Sequence, residues 1–301
     1  MEVLDGMMEM SLMQWLPLCV QGHVYYPAVK PEAMPSTIFV TSKRDIAGQN
    51  IIFKLRELVG LGPPGKGNER FDLSGMECML IDVDVDIVHV GRMAEEYRPS
   101  LVIHLSRHSS AAGIPTLSVH VSGNISDADM GGEPKTISVA PAMAMLAALK
   151  ELQLQREAMN LDFNVCYEAT HHGPSLDVPS MFIEIGSNAE RWRREDAGQA
   201  VARAALAAAR ATSIGTAAIG LGGTHYCPKF TKLAIERSQP FGHILPKYAL
   251  GGVDGAFLGY AMRRTLEPVD SVLIDWKGIS GMDKERLMPE VEKLGLRIER
   301  I

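Results

Sequence analysis

The sequence predicts an α/β fold in which a largely parallel central sheet is flanked by helices and carries an inserted smaller subdomain. Apolar runs of strand length alternate with segments of helical period along most of the chain. Several of these runs are apolar on both faces, as expected for strands covered by helices on two sides. The strand–loop–strand stretch around residue 171 and the glycine-rich region around Gly251 and Gly252 account for the subdomain. No internal repeat is present and no linker composition marks a boundary, so residues 36–301 are expected to form one unit.

Residues 1–35 have no clear period and contain Pro17, Pro27, Pro31 and Pro35; they are expected to be a poorly ordered extension outside the core. Residues 36–41 read as a strand. Asp45 is placed to cap a helix whose Ile52, Leu55, Leu58 and Val59 keep helical spacing. A glycine- and proline-rich loop over 60–67 precedes strands at 78–83 and 86–90. Strands at 101–105 and 116–121 follow, each with a histidine near its end. Ser138 is placed to cap a helix over 139–155, with Pro141 tolerated in the first turn. Ser187 and Glu190 have capping-box spacing ahead of an alanine-rich helix over 189–211. Strands at 163–169, 181–185, 216–221 and 271–275 flank that helix, and the last helix is expected over 283–294.

At 301 residues, with 46% hydrophobic residues, the chain can bury a sizeable core. Its net charge of −6 argues against a surface that grips nucleic acid as a whole; no DNA partner is expected, and any RNA contact must be local. Cys19, Cys78, Cys166 and Cys227 are far apart, so neither a disulfide framework nor a zinc ribbon is indicated. The apolar stretch 12–20 is broken by Gln14 and Pro17 and preceded by Glu2, Asp5 and Glu9, unlike a signal peptide, and no arginine precedes Arg44. No run is long enough to span a bilayer. A cytoplasmic location is expected, with the nucleus as the alternative, and no membrane partner.

The informative pattern is where the histidines fall. In parallel sheets ligands bind outside the carboxyl ends of strands, and His104, His108, His120, His171, His172 and His225 lie at or just after such ends. Each alone reads as a structural histidine bonded to a carbonyl. As a group they could offer zinc the neutral imidazoles it prefers, although the spacing matches no short zinc motif. Adjacent residues of an extended segment point to opposite faces, so only one of His171 and His172 is expected to face the site. Glu184, among Met181, Phe182, Ile183 and Ile185, is costly to bury unless paired, protonated or metal-bound. It is therefore a candidate ligand or general base, or else a partner of Arg191 or Arg194. In the run 222–231 (GGTHYCPKFT), Gly222 and Gly223 allow close backbone approach to a ligand. The helix opening near Pro228 favours an anion, to which Lys229 and Thr231 could add a charge and a hydroxyl. Thr224, Tyr226 and His243 complete the candidate substrate contacts. Cys227 raises a thiol nucleophile as an alternative, and 191–194 (RWRR) reads either as an RNA contact or as a solvated helix face.

The motifs 103–109 (IHLSRHS), 118–124 (SVHVSGN), 168–174 (EATHHGP), 182–187 (FIEIGS) and 222–231, with the opening 40–45 (VTSKRD) and Asn50-Ile51, resemble the archaeal and plant D-aminoacyl-tRNA deacylases. The resemblance covers essentially 36–301. It implies a phosphorylase- or peptidyl-tRNA-hydrolase-like core and hydrolysis of the ester joining a D-amino acid to the terminal ribose of tRNA. Mischarged glycyl-tRNA and aldehyde-modified D-aminoacyl-tRNA are implied as further substrates. It also implies zinc, two ions per chain, and an aminoacyl-tRNA substrate; the candidate ligands on the reading of the residues are a subset of His104, His108, His171, His172, His225 and Glu184, and a monomer is expected. His225, Glu184 and His108 are the candidate catalytic residues. A mechanism without metal, resting on His225 or on the vicinal ribose hydroxyl, is the alternative within this function. A small-molecule carboxyl esterase or nucleoside phosphorylase, and a non-catalytic RNA-binding module, are the alternatives to it.

Overall fold

The computed structural model describes residues 18–20, 23–25, 35–63, 67–90 and 96–301. The chain divides into two compact units, Met1–Met34 and Pro35–Ile301. The poor order expected of 1–35 falls almost wholly outside the described residues; among those described, β1 (Leu18–Val20) and β2 (His23–Tyr25) pair antiparallel.

In the larger unit β3 (Thr37–Ser42) leads into α1 (Ile46–Val59), β4 (Glu69–Leu73), β5 (Met76–Val83), β6 (Leu101–Ser109), β7 (Thr116–His120), α2 (Ala142–Ala158), β8 (Asn164–Tyr167) and β9 (Ser180–Ser187). Then come α3 (Ala189–Trp192), α4 (Glu195–Ala209), β10 (Ala217–Leu221), α5 (Pro228–Arg237) and β11 (Phe241–Leu245). The chain closes with α6 (Gly255–Arg263), β12 (Val269–Ile274), α7 (Gly281–Lys293) and β13 (Arg297–Arg300). Seven strands form the main sheet in the order β4-β5-β3-β6-β9-β7-β8, and four form a second, all-parallel sheet in the order β11-β10-β12-β13. Within the main sheet β5, β3, β6 and β9 run parallel. The edge strand β4 and the β7–β8 pair run against them. The smaller part of the unit is thus the C-terminal sheet with its own helices and its own apolar cluster around Ile219, Leu221, Val272 and Ile274.

The two faces of the main sheet differ in chemistry, and that difference positions the site. Alternate residues such as Ile103, Leu105, Ile183 and Ile185 bury one face with α1, α2 and the alanine-rich α4. The other face is apolar where the central strands begin, at Ile38, Val102 and Phe182, and turns polar towards their ends at Ser106, His108 and Glu184.

Several local expectations give way to tertiary contacts. Residues 86–90 are not a strand: Ile87–His89 is a 3-10 turn, because the ladder closes where Lys43 donates to Val83 O and Ser42 Oγ to Val85 O. Ser138 does not cap α2; its hydroxyl bonds Pro174 O and the amide of Leu176. The buried carboxylate of Glu267 accepts from Ala142 N and Met143 N in its place. The 189–211 helix breaks at Arg193 and Arg194, where Asn50 Nδ2 donates to Trp192 O and Arg194 O, and Asn188 rather than Ser187 caps α3. β4, β11, β13 and α6 carry no local pattern strong enough to have been expected.

Candidate active site

His104, Ser106 and His108 share one face of β6 because side chains alternate along a strand. The neighbouring β9 sets Phe182, Glu184 and Gly186 in register with them. On its other side β7, running antiparallel, aligns His120, Ser118 and Thr116 with the same three residues. Three rows therefore cross the sheet: His104–Phe182–His120, Ser106–Glu184–Ser118 and His108–Gly186–Thr116. In the first row both imidazoles stack on Phe182, at 4.4 Å for His104 and 5.0 Å for His120. In the second, Ser106 Oγ donates to Glu184 Oε1 at 2.5 Å. In the third, a side chain on Gly186 would put its Cβ 2.2 Å from Thr116 Oγ1 and 3.2 Å from His108 Cδ2, so the ring of His108 needs that glycine.

Two segments cross above these rows: 168–173, following β8, and 222–226, following β10. The amide of Ala169 donates to His225 O and joins them. Glu168 is the centre of the upper layer. Its Oε2 lies 3.1 Å from His225 Nε2 and 3.6 Å from His171 Nε2, and its Oε1 lies 3.3 Å from His108 Nδ1. Glu184 Oε2 lies 3.5 Å from His120 Nε2 and 3.7 Å from His108 Nδ1. Its alternative partners are engaged elsewhere, since Arg191 and Arg194 both pair with Asp162. Tyr226 OH meets His108 Nε2 at 3.0 Å.

Both members of the His171-His172 pair face the cluster, with ring centroids 4.4 and 5.0 Å from His120. The expectation of a single inward ring assumed extended backbone. His172 instead has φ 41°, in the left-handed region, which turns its side chain to the same side as its neighbour's. The histidines also meet over the sheet face and not along one rim of carboxyl ends: β7 is antiparallel to β9, so the end of β7 that carries His120 lies beside Phe182, early in β9.

The charges organise around the two carboxylates. Burial alone would raise the pKa of Glu168, but His108 and His225, with His120 and His171 behind them, hold it well below the ordinary value. Burial opposes charge on His108 and His120, yet the carboxylates outweigh it and both pKa values are raised. His171 and His172 are lowered, chiefly by burial and then by neighbouring imidazoles, His172 to about 4. His108, His171, His172, His225 and Glu184 line a cavity of about 330 Å³ that also touches Asp45, Arg107, Ile87 and Val88, and Glu168 and His120 are buried against them.

A family model described as D-aminoacyl-tRNA deacylase matches residues 95–299. The chain belongs to the D-aminoacyl-tRNA deacylase family. It is 35% identical over 269 residues to the D-aminoacyl-tRNA deacylase of Pyrococcus furiosus, covering 86% of this chain and 97% of that protein. It is 37% identical over 275 residues to that of Thermococcus kodakarensis, covering 87% and 99%. A crystal structure of a conserved protein of unknown function superposes with a TM-score of 0.78 at 28% identity, covering 88% of this chain and 95% of that one.

In this deacylase the sequence-derived candidates divide into two sets. His108, His171, His172, His225 and Glu184 line the cavity, and Tyr226 touches it through His108. Glu168 and His120 do not line it but are buried against these side chains; the first was legible only as part of the 168–174 motif, since nothing local distinguishes it from any strand-end glutamate. His104 stands apart: fully buried and stacked on Phe182, it belongs to none of the groups whose donor atoms converge, and its pKa falls to about 3 through burial. His243 is also buried, its nitrogens facing Thr170 Oγ1 at 3.2 Å and Arg264 O at 3.1 Å. Lys229 Nζ meets Asp275 Oδ1 at 2.6 Å and Ile301 O at 3.0 Å, while Thr231 Oγ1 accepts from Tyr167 N. Those polar groups are used inside the fold. Gly222 and Gly223, at φ 92° and 80°, turn the chain beside Gly278, and neither they nor Thr224 line the cavity. Cys227 is buried and its thiol pKa is pushed up by burial, the opposite of an activated nucleophile.

The donor sets fit a metal ion. Among the described residues three groups each bring their donor atoms within 4.8 Å of one another: His120–His171–His172, His108–Glu168–His225 and His120–Glu168–Glu184. Neither oxygen of Glu168 nor Nε2 of His120 has a well-aligned hydrogen-bond partner despite these short distances. Buried polar atoms are rarely left so, and lone pairs converging on a common point are what ligands to one ion require.

Proposed function

We propose that this chain hydrolyses the ester between a D-amino acid and the terminal ribose of tRNA, releasing the free D-amino acid and tRNA. Family membership supports the reaction class. The observation that carries the chemistry is the convergence of His108, His120, His171, His172, His225, Glu168 and Glu184 in one cluster, five of which line the cavity while His120 and Glu168 are buried against them.

In this reading His120, His171 and His172 hold one zinc ion, and His108, Glu168 and His225 have the donors for a second. Neutral imidazoles are what zinc takes, and the lowered pKa values of His171 and His172 supply them at neutral pH. When bound, zinc acidifies a water and polarises an ester carbonyl. Glu184, held by Ser106 and facing the cavity, accepts the proton of the attacking water. Tyr226 keeps the ring of His108 in place, with Nδ1 turned to Glu168. The wrong enantiomer loses rate through orientation, since swapping two substituents at Cα moves the carbonyl away from groups fixed on three strands.

Incubation with matched D- and L-tyrosyl-tRNA, following ester loss, tests the function. Selective loss of the D form is expected; equal rates would remove the chirality, and no loss would remove the activity. The protein is taken to act as a monomer in the cytoplasm, which sedimentation of the purified chain and its distribution in fractionated cells would check. Among the described residues no helix is long and apolar enough to cross a membrane.

A further inference from the structure

A second cavity of about 310 Å³ adjoins the first and shares Met130, His171 and His172 with it. The size is that of a small-ligand site, about 300–1,000 Å³. Its character differs from that of its neighbour. It has no lysine or arginine in its lining and is edged by the exposed carboxylates of Asp127 and Asp129. Its most prominent surfaces are Tyr248, 66% exposed, and Met130, 59% exposed, two of the few large apolar side chains that the described surface leaves in water.

Both walls are held firmly. Beside Tyr248, Lys247 N donates to Gly223 O and Ala249 N to Pro246 O, and the Arg286 guanidinium bonds Leu250 O and Val253 O. Opposite, Met130 O accepts from Gly173 N and Asn124 Nδ2 donates to Gly131 O. Gly131 has φ 74°, and a Cβ there would lie 2.3 Å from Val88 O, so the turn after Met130 closes tightly on the wall of the first cavity. An exposed aromatic on a braced turn is a preformed stacking surface, with little ordering cost left at the moment of binding.

An ester cleaved at the histidines extends to both sides of them, acyl group one way and alcohol the other. We propose that the second cavity binds the terminal nucleoside of the tRNA, its base stacked on Tyr248, while the acyl group occupies the first. This rests on the functional reading above and adds the division of the substrate. A base offers a π-face to Tyr248. Ribose hydroxyls and exocyclic amines can donate to Asp127 and Asp129, which would repel a phosphate, so the cavity suits the uncharged nucleoside and not the phosphodiester chain. The first cavity holds the groups proposed to react, with Ile87 and Val88 beside them for an acyl chain.

Calorimetric titration of the purified full chain with adenosine tests this. Binding is expected for the parent protein, weakened at least about fivefold in Tyr248→Ala and restored in Tyr248→Trp, as stacking on an aromatic ring implies. In steady-state assays Tyr248→Ala should raise KM for D-tyrosyl-tRNA more than it lowers kcat. Adenosine that fails to bind, or binds Tyr248→Ala as well as the parent, would overturn the assignment. Free D-tyrosine depending on Tyr248 in place of adenosine would reverse the two cavities and overturn it too. If the parent cleaves no D-aminoacyl-tRNA yet adenosine binding depends on Tyr248, the deacylase reading falls and the nucleoside site stands.

Discussion

Nε2 of His225 lies 3.1 Å from Oε2 of Glu168, a carboxylate with no exposed side-chain surface. Glu168 approaches three imidazoles, and its negative charge favours the protonated form of His108. Glu168→Gln keeps the shape and removes the charge. We expect kcat/KM on D-tyrosyl-tRNA to fall at least about tenfold, with bound zinc falling in parallel. Activity and metal content both within threefold of the parent would show that Glu168 only fills space.

Exhaustive chelation should abolish hydrolysis, and added zinc should restore it. Zinc uptake should strengthen as pH rises. His108 and His120, whose pKa values the carboxylates raise, must shed protons before they can bind, so protons compete at lower pH. Metal titrations at pH 6 and pH 7.5 measure this; affinity that is flat or falls with pH would contradict the ligand assignment.

His243 gives the fold an acid-sensitive point outside the cluster. Burial lowers its pKa to about 4, against 6.5 for the unfolded chain. Between those values the unfolded state binds a proton that the folded state refuses. Stability is therefore level above about pH 6.5 and falls as pH drops towards 4, by about 2 kcal/mol between pH 7 and pH 5 from this residue. Urea denaturation of the metal-free protein should show a shallower loss over that range in His243→Gln than in the parent.

Glu267 caps α2 from 125 residues away, with its oxygens 2.9 and 3.0 Å from Ala142 N and Met143 N. Glu267→Ala should destabilise the protein by about 1–2 kcal/mol, the usual cost of a lost cap, read as a shift of the urea midpoint. An unchanged midpoint would mean that water replaces the carboxylate without penalty.

Replacing Gly186 should act on catalysis more than its position in a strand suggests. The Cβ of Gly186→Ala would collide with Thr116 Oγ1 and press on His108. A fall in kcat beyond about tenfold, with the purified variant still folded by circular dichroism, is the expected outcome. Parent-like kcat would show that the row adjusts.

Much of the fold was legible in the sequence because the signals are local. Strand β3, the Asp45 cap on α1, strands β6, β7 and β9, and the start of α5 at Pro228 each follow from the period of their own residues and one cap or proline. The pattern fails where a distant group takes over a local role, as Glu267 does for the α2 cap and Asn50 at the break between α3 and α4.

For the site, the sequence by itself determined the inventory. It held histidines near strand ends, one glutamate in an apolar strand, and motifs that resemble one family of deacylases. Tertiary structure decided the partners. Ser106, Glu184 and Ser118 become neighbours only because β9 inserts between β6 and β7, and Glu168 becomes central only when the segment after β8 folds across them. A strand's residues fix which side chains share its face, whereas strand order and register are set by burial summed over the whole sheet. No short window of sequence contains that sum.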